Sequence, residues 1–379
     1  MKIFDTKTIR EELSSRLHNG CILNEKVAIY GGIGTIAQLR LTPRESKGVI
    51  PAPEYFIVDH VIEHESTIND ALLIDFESAH KLCKSYQIVL YGTSYDQIKH
   101  MFNCLKNSPI EDASIHTIEE VVYCQNADKI LAVFDMLEDD FSKATYANMI
   151  LFRMGKIEQD KELIRPSTTQ YFDLPLFANP DGNEVFVDCG AYVGDTIEKY
   201  LMIKCGCFKK IVAFEPMSRS FSALGVRMER LKREWAISND RVELVNGGVG
   251  EKPYRIACTL EEEETLAESS DASCFTLEGR NFTQNEGGIP VYSLDKYFAE
   301  QPVSFIKADI EGFEWRMLVG ARRIIKRDHP QLALCLYHNY TDIFTIPMKI
   351  KLLCPDYKLY IRHHAYGYYE TVLYACVDQ

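Results

Sequence analysis

Two short runs hold residue types that could do chemistry together. In EVFVDCGAYVGDT (184–196) a β-rich run delivers Asp188. Gly190 and Gly194 then allow a tight turn, and Asp195-Thr196 open a helix. In SFIKADIEGFEW (304–315), Lys307, Asp309 and Glu311 alternate toward the end of a second β-rich run, and Gly312 permits the turn that follows. Ligands of open α/β sheets sit outside the carboxyl ends of the strands, where both runs place their charges. A buried Lys–Asp–Glu cluster is costly unless its groups pair or meet a ligand.

The first turn reads D-x-G-x-x-x-G rather than the G-x-G-x-x-G that seats a pyrophosphate on a helix N-terminus. Carboxylates at Asp188 and Asp195 would repel a pyrophosphate. They suit a cation, such as an ammonium group or the sulfonium of S-adenosylmethionine (SAM). The next β-rich run, KIVAFEP (210–216), ends in Glu215-Pro216, an acid placed to accept hydrogen bonds from two ribose hydroxyls. RVELVNGG (241–248) ends in Asn246-Gly247-Gly248, where an amide and bare backbone can flank an adenine. Singly these are ordinary, since acids end strands and Asn-Gly makes turns. In order on successive strands they form a set. The expected cofactor is SAM. Its expected contacts are Asp188, Gly190, Tyr192, Gly194, Asp195 and Thr196 from the first turn, Glu215 and Pro216 from the second, and Asn246 and Gly247 from the third.

The elements that position these residues alternate in type. EVFVDCG is followed by a helical GDTIEKYLMIK, the strand KIVAFEP, a long helix MSRSFSALGVRMERLKREW, and the strand RVELVNGG. SFIKADIEG leads into a helix, FEWRMLVGARRIIKR, then QLALCLYH (331–338), and YKLYIRHH with ETVLYACV closes the sheet as an antiparallel pair. Between Gly250 and Pro290 periodicity is lost. That stretch, with EEEE (261–264) read as a solvated turn and SCFTLEG (273–279), is expected to add short strands and loop near the site mouth.

A smaller alternation precedes it. KVAIYGG (26–32), EYFIVDH (54–60) and QIVLYG (87–92), separated by helical IAQLRL and SYDQIKHMFNCL, predict a Rossmann-like domain over residues 1–125. Gly32-Ile33-Gly34-Thr35-Ile36-Ala37 fits G-x-G-x-x-A there, and Asp59 ends the next strand. A lone fingerprint is weak, so docking or acceptor recognition is the expected role. ADKILAVFDMLEDDFSKATYANMILFRMGK has apolar spacings of three and four and no proline, giving a helical connector over 126–170. RPSTTQYFDLPLFANPDGN (165–183) is a connecting loop, and the main domain covers 171–379.

Composition narrows the partners. Of 379 residues 46% are hydrophobic and 26% charged, which excludes collagen-like, coiled-coil and wholly disordered chains. The net charge of −13 argues against nucleic acid and anionic membranes, and no apolar run reaches membrane-spanning length. MKIFDTKTIREELSS lacks the apolar core of a signal peptide, so a soluble, cytoplasmic protein is expected. The twelve cysteines, with only Cys205 and Cys207 close in sequence, are read as buried reduced thiols.

From about residue 171 onward the chain resembles the FkbM family of SAM-dependent methyltransferases. The resemblance rests on FVDCGAYVGDT, VAFEP, LVNGGVG, the FIKADIEGFE block, LALCLYH and the terminal YIRHH…ETVLYA, and covers roughly 200 residues. It implies a class I methyltransferase fold, a Rossmann-like α/β sheet of seven strands, and O-methylation of a hydroxyl on a sugar, glycan or polyketide-type product. By position it also implies that Asp188, Gly190, Glu215 and Asn246 bind the cofactor and that Asp309 and Glu311 lie at the reaction site.

A hydroxyl acceptor must lose its proton. Candidate bases are Asp309, Glu311, His338 at the end of LCLYH, and one of His363 and His364, which alternate on a strand. Asp309, Glu311 and His338 form the expected catalytic set. A divalent cation held by Asp309, Glu311 and a histidine would be another way to activate the hydroxyl, but no metal is expected. The rival functions are an NAD(P)- or nucleotide-sugar-linked enzyme using the N-terminal domain, and a SAM-binding protein without transfer activity.

Overall fold

The computed structural model describes residues 4–378 except 22, 24–25, 33–49, 51–52, 60–66, 69–70, 83–84, 93, 107–113, 257–281 and 284–287. The chain forms two compact units. One comprises 1–135, 143–161 and 366–369, and the other 136–142, 162–365 and 370–379.

The first unit holds a six-stranded sheet: β1 (Val27–Gly31), β2 (Tyr55–Val58), β3 (Thr67–Ile68), β4 (Ala71–Asp75), β5 (Gln87–Tyr91) and β6 (Ile115–Thr117). They lie in the order β3-β4-β2-β1-β5-β6. All pairings are parallel except β3 with β4. β1 is buried at every position, as a strand covered on both faces must be. Most of the Gly32–Ala37 fingerprint lies outside the described residues, as do EEEE and SCFTLEG. The connector sequence folds into helices Ala127–Met136 and Asp140–Arg153. Residues 126–135 and 143–161 pack with the first unit, and 162–170 with the second.

The second unit is built on β7 (Val185–Cys189), β8 (Lys210–Glu215), β9 (Val242–Asn246), β14 (Phe305–Ala308), β15 (Gln331–Cys335), β16 (Lys358–His363) and β17 (Thr371–Cys376). Their order is β16-β17-β15-β14-β7-β8-β9. The first five are mutually parallel, and β17 runs antiparallel to both β15 and β16. β7 and β14 pair with Asp188 opposite Lys307, which brings the two charged runs side by side. An aromatic core fixes the sheet against its helices: Phe186 stacks on Tyr200 at 4.4 Å, and Phe305 meets Phe177 and Phe172 edge-on. A second sheet of β10 (Gly248–Val249), β11 (Tyr254–Ile256), β12 (Phe282–Thr283) and β13 (Ile289–Tyr292) supplies the expected insertion.

Two local expectations change. FEWRMLVGARRIIKR forms two helices, Glu314–Gly320 and Arg322–Asp328, rather than one. A Cβ at Gly320 would lie 2.0 Å from the Gly250 carbonyl oxygen, and Asp295 Oδ1 accepts from Arg323 N and Ile324 N, capping the second segment afresh. The cysteines are not uniformly interior. Cys189, Cys335, Cys354 and Cys376 are buried, but Cys205 and Cys207 are exposed, because they sit in the turn that ends helix Asp195–Ile203. Cys83 lies outside the described residues. Among these residues no helix is long and apolar enough to cross a membrane.

Candidate active site

The carboxyl ends of β7, β8 and β14 open on one cavity of about 520 Å³, a size typical of small-molecule sites. After β7 the backbone turns through left-handed conformations at Gly190 and Gly194, with φ of 79° and 84°. Gly190 is forced: a Cβ there would lie 1.8 Å from the Asp309 carbonyl oxygen. Gly194 caps helix Asp195–Ile203. Gly190, Tyr192, Asp195 and Thr196 all reach the cavity wall.

Asp188 does not reach the cavity wall. It is fully buried, with Oδ1 3.0 Å from Lys307 Nζ, and Lys307 also donates to the Gly190 carbonyl at 2.6 Å. Burial pushes the Asp188 carboxyl up to about 6, and Lys307 opposes that shift. Burial likewise disfavours the Lys307 ammonium, yet Asp188 and Asp309 hold its pKa above that of an ordinary lysine. Lys307 itself lies on the wall.

Glu215, at the end of β8, faces the cavity. Its Oε2 accepts from Tyr192 N at 2.8 Å and its Oε1 from Met217 N at 2.9 Å, leaving each oxygen a further lone pair. Burial raises its pKa to about 7, against the two backbone donors. Pro216, Met217, Gly247, Gly248 and Val249 line the adjoining wall. Asn246 is exposed and off that wall. Its amide donates to the carbonyls of Glu215 and Pro216 at 2.9 and 3.2 Å, tying β9 to the turn after β8.

Asp309 and Glu311, which follow β14, line the same cavity. Asp309 accepts from Tyr171 OH at 2.8 Å and Tyr337 OH at 3.0 Å. Glu311 adopts a positive φ of 55° beside Gly312 at 90°, a strained turn of the kind that clusters at functional sites. His338 lies behind them, off the cavity wall. Its Nε2 is 3.3 Å from Asp309 and 3.4 Å from Glu311, and its Nδ1 is 3.0 Å from the fully buried Glu314. Burial disfavours the imidazolium, but Glu314 and Asp309 raise its pKa well above an ordinary histidine. Burial also favours neutral Asp309, but His338 and Lys307 outweigh it and hold that carboxyl below the usual range. The three acids around His338 thus favour its protonated form.

His363 and His364 stand away from the cavity. His363 contacts Thr371 Oγ1 at 2.9 Å, and His364 contacts the Pro166 carbonyl and Tyr374 OH, each at 3.1 Å. Burial lowers the His364 pKa to about 4. Residues that sequence reasoning passed over complete the site. Tyr171 and Tyr337 bind Asp309, Glu314 anchors His338, and Glu370, hydrogen-bonded by Gln170, lines the cavity. Of these only Tyr337 carried a signal, from its position just after β15 and beside His338.

One wall thus offers acidic acceptors suited to a ribose and a cation, beside an apolar strip formed by Pro216, Met217 and Val249. This donor set fits SAM. The sheet order and this cavity define a class I SAM-dependent methyltransferase fold. Residues 188–366 match the methyltransferase FkbM domain, so the chain carries an FkbM-type methyltransferase domain whose methyl donor is SAM. The crystal structure of methyltransferase FkbM from Methylobacillus flagellatus is similar over 98% of each chain, with a TM-score of 0.56 and 22% identity. An rRNA methylase from Streptococcus thermophilus aligns with 53% of this chain and 90% of its own, at 15% identity and a TM-score of 0.33. Aeropyrum pernix fibrillarin, solved with SAM bound, aligns with 53% of this chain and 68% of its own, at 12% identity and a TM-score of 0.31. Among curated proteins, no sequence matches this chain.

Proposed function

We propose that the protein O-methylates a hydroxyl on a sugar, glycan or secondary-metabolite acceptor, in the cytoplasm. The observation that supports this reading is that Asp309 and Glu311 line the same cavity as Glu215. Bound SAM supplies an electrophilic methyl group. The chain's own tasks are to orient the acceptor oxygen in line with it, exclude water and take the hydroxyl proton. Glu215 and the backbone of Gly247 and Gly248 hold the nucleoside side. Glu311, 42% exposed, is the carboxylate open to an acceptor and serves as the base. Asp309, committed to Tyr171, Tyr337 and His338, orients the acceptor side. His338 is a positioning residue that fixes both acids. The net charge of −13 favours a small-molecule or glycan acceptor over nucleic acid, and the nine cysteines among the described residues, all free, suit a reducing compartment.

The test is S-adenosylhomocysteine production across a panel of hydroxylated acceptors, with wild type and Glu311→Gln. The variant should lose roughly 10²–10⁴-fold in turnover, the usual contribution of general base catalysis, while SAM affinity stays within about two-fold. Equal losses in turnover and SAM affinity would reassign Glu311 to cofactor binding.

A further inference from the structure

The first unit holds a side-chain cluster that methyl transfer does not use. Asp59 follows β2, and His100 and Cys104 lie one turn apart on helix Tyr95–Leu105, which follows β5. The i, i+4 spacing puts both on one helix face, at the carboxyl edge of the parallel sheet. One ligand atom from each of the three lies within 4.8 Å of the other two.

The distances are informative. His100 Nε2 is 3.4 Å from Asp59 Oδ2 and 3.6 Å from Cys104 Sγ. A charge-assisted N–H···O bond closes to about 2.7–2.9 Å, so 3.4 Å is long for a simple histidine–aspartate pair. Tetrahedral zinc, with bonds of about 2.0–2.2 Å to N or O and 2.3 Å to S, separates its ligands by about 3.3–3.6 Å. The imidazole nitrogen sits at those edge lengths from both partners. The other oxygen of Asp59 accepts from Tyr30 OH at 2.5 Å, and Tyr30 is itself buried, so a second layer already orients the carboxylate.

We propose that Asp59, His100 and Cys104 bind a zinc-type divalent ion, as its three ligands among the described residues. One thiolate and one carboxylate balance the ion's two charges with a neutral imidazole. The thiol proton of Cys104 leaves to solvent as the metal–sulfur bond forms. More than half of the His100 side chain is exposed, which gives the ion a path in.

The test uses the tag-free full chain titrated with Zn²⁺ and, separately, Co²⁺. The expected result is one Zn²⁺ per chain and a thiolate-to-cobalt charge-transfer band that vanishes in Cys104→Ser. Tyr30→Phe should weaken Zn²⁺ binding about 10–100-fold, the usual cost of losing a partner that orients a ligand. His100→Ala removes a ligand from an exposed helix position and should also lower the affinity at least ten-fold. No charge-transfer band, a band that survives Cys104→Ser, or unchanged Zn²⁺ affinity in His100→Ala would overturn the proposal. The cluster would then be an ordinary histidine–aspartate pair.

Discussion

The Lys307 ammonium lies 3.0 Å from Asp188 Oδ1, and the two side chains are buried, with 3% and 0% exposure. A buried pair of this kind is a brace that breaks badly when one half is removed. Asp188→Asn leaves buried Lys307 with Asp309 as its remaining countercharge, so it should cost up to about 3–5 kcal/mol of stability. Asp188→Asn with Lys307→Met should recover a large part of that loss, because the buried ammonium is gone. Denaturant unfolding of both variants checks this. An Asp188→Asn protein as stable as wild type would remove the pair from the structural account.

Glu215 should write itself into the pH dependence twice, with opposite signs. Its folded pKa, about 7, lies above the ordinary 4.5. Between those values the unfolded chain releases a proton that the folded chain keeps. Glu215's contribution to stability is therefore full below 4.5, falls as pH rises through about 7, and is flat above. SAM affinity should run the other way, rising through the same region as the carboxylate that accepts the ribose hydroxyls ionises. Calorimetric SAM titrations across this range check the second sign. A pH dependence as steep in Glu215→Gln as in wild type would rule out Glu215 as its source.

His338→Gln removes the side chain that contacts Asp309, Glu311 and Glu314 together. Turnover should fall on the order of 10²-fold, with SAM affinity changed little. The acid limb of the pH–rate profile should move to higher pH, because carboxylates that lose a cationic neighbour ionise less readily. A merely structural histidine would lower activity without moving that limb, so an unmoved limb is the outcome that rejects the role.

Much of this site is legible in the chain because strand ends are local features. Gly190, Glu215, Asp309 and Glu311 each follow a recognisable apolar run, and a parallel sheet brings such ends to one edge. What is not legible depends on which way side chains turn once the strands pair. Asp188 and Lys307 are opposite each other in register, so Asp188 faces its partner and not the ligand. Asn246 sits at the expected strand end, but its amide is consumed by the Glu215 and Pro216 carbonyls. Tyr171 reaches Asp309 across 138 residues, and Glu370 arrives from the connection between β16 and β17. No spacing rule announces either. His338 is legible as a strand-end histidine, but its protonation depends on Glu314, an acid in the first turn of helix Glu314–Gly320, which precedes β15, with nothing to set it apart in sequence.

The most direct test of the account is calorimetric titration of the full chain with S-adenosylhomocysteine, comparing wild type with Glu215→Ala. The account predicts one site per chain in wild type and a loss of at least about ten-fold, or 1.4 kcal/mol, in the variant, with no heat from NAD(H) in either. Wild-type affinity in Glu215→Ala, or NAD(H) binding in place of S-adenosylhomocysteine, would contradict it.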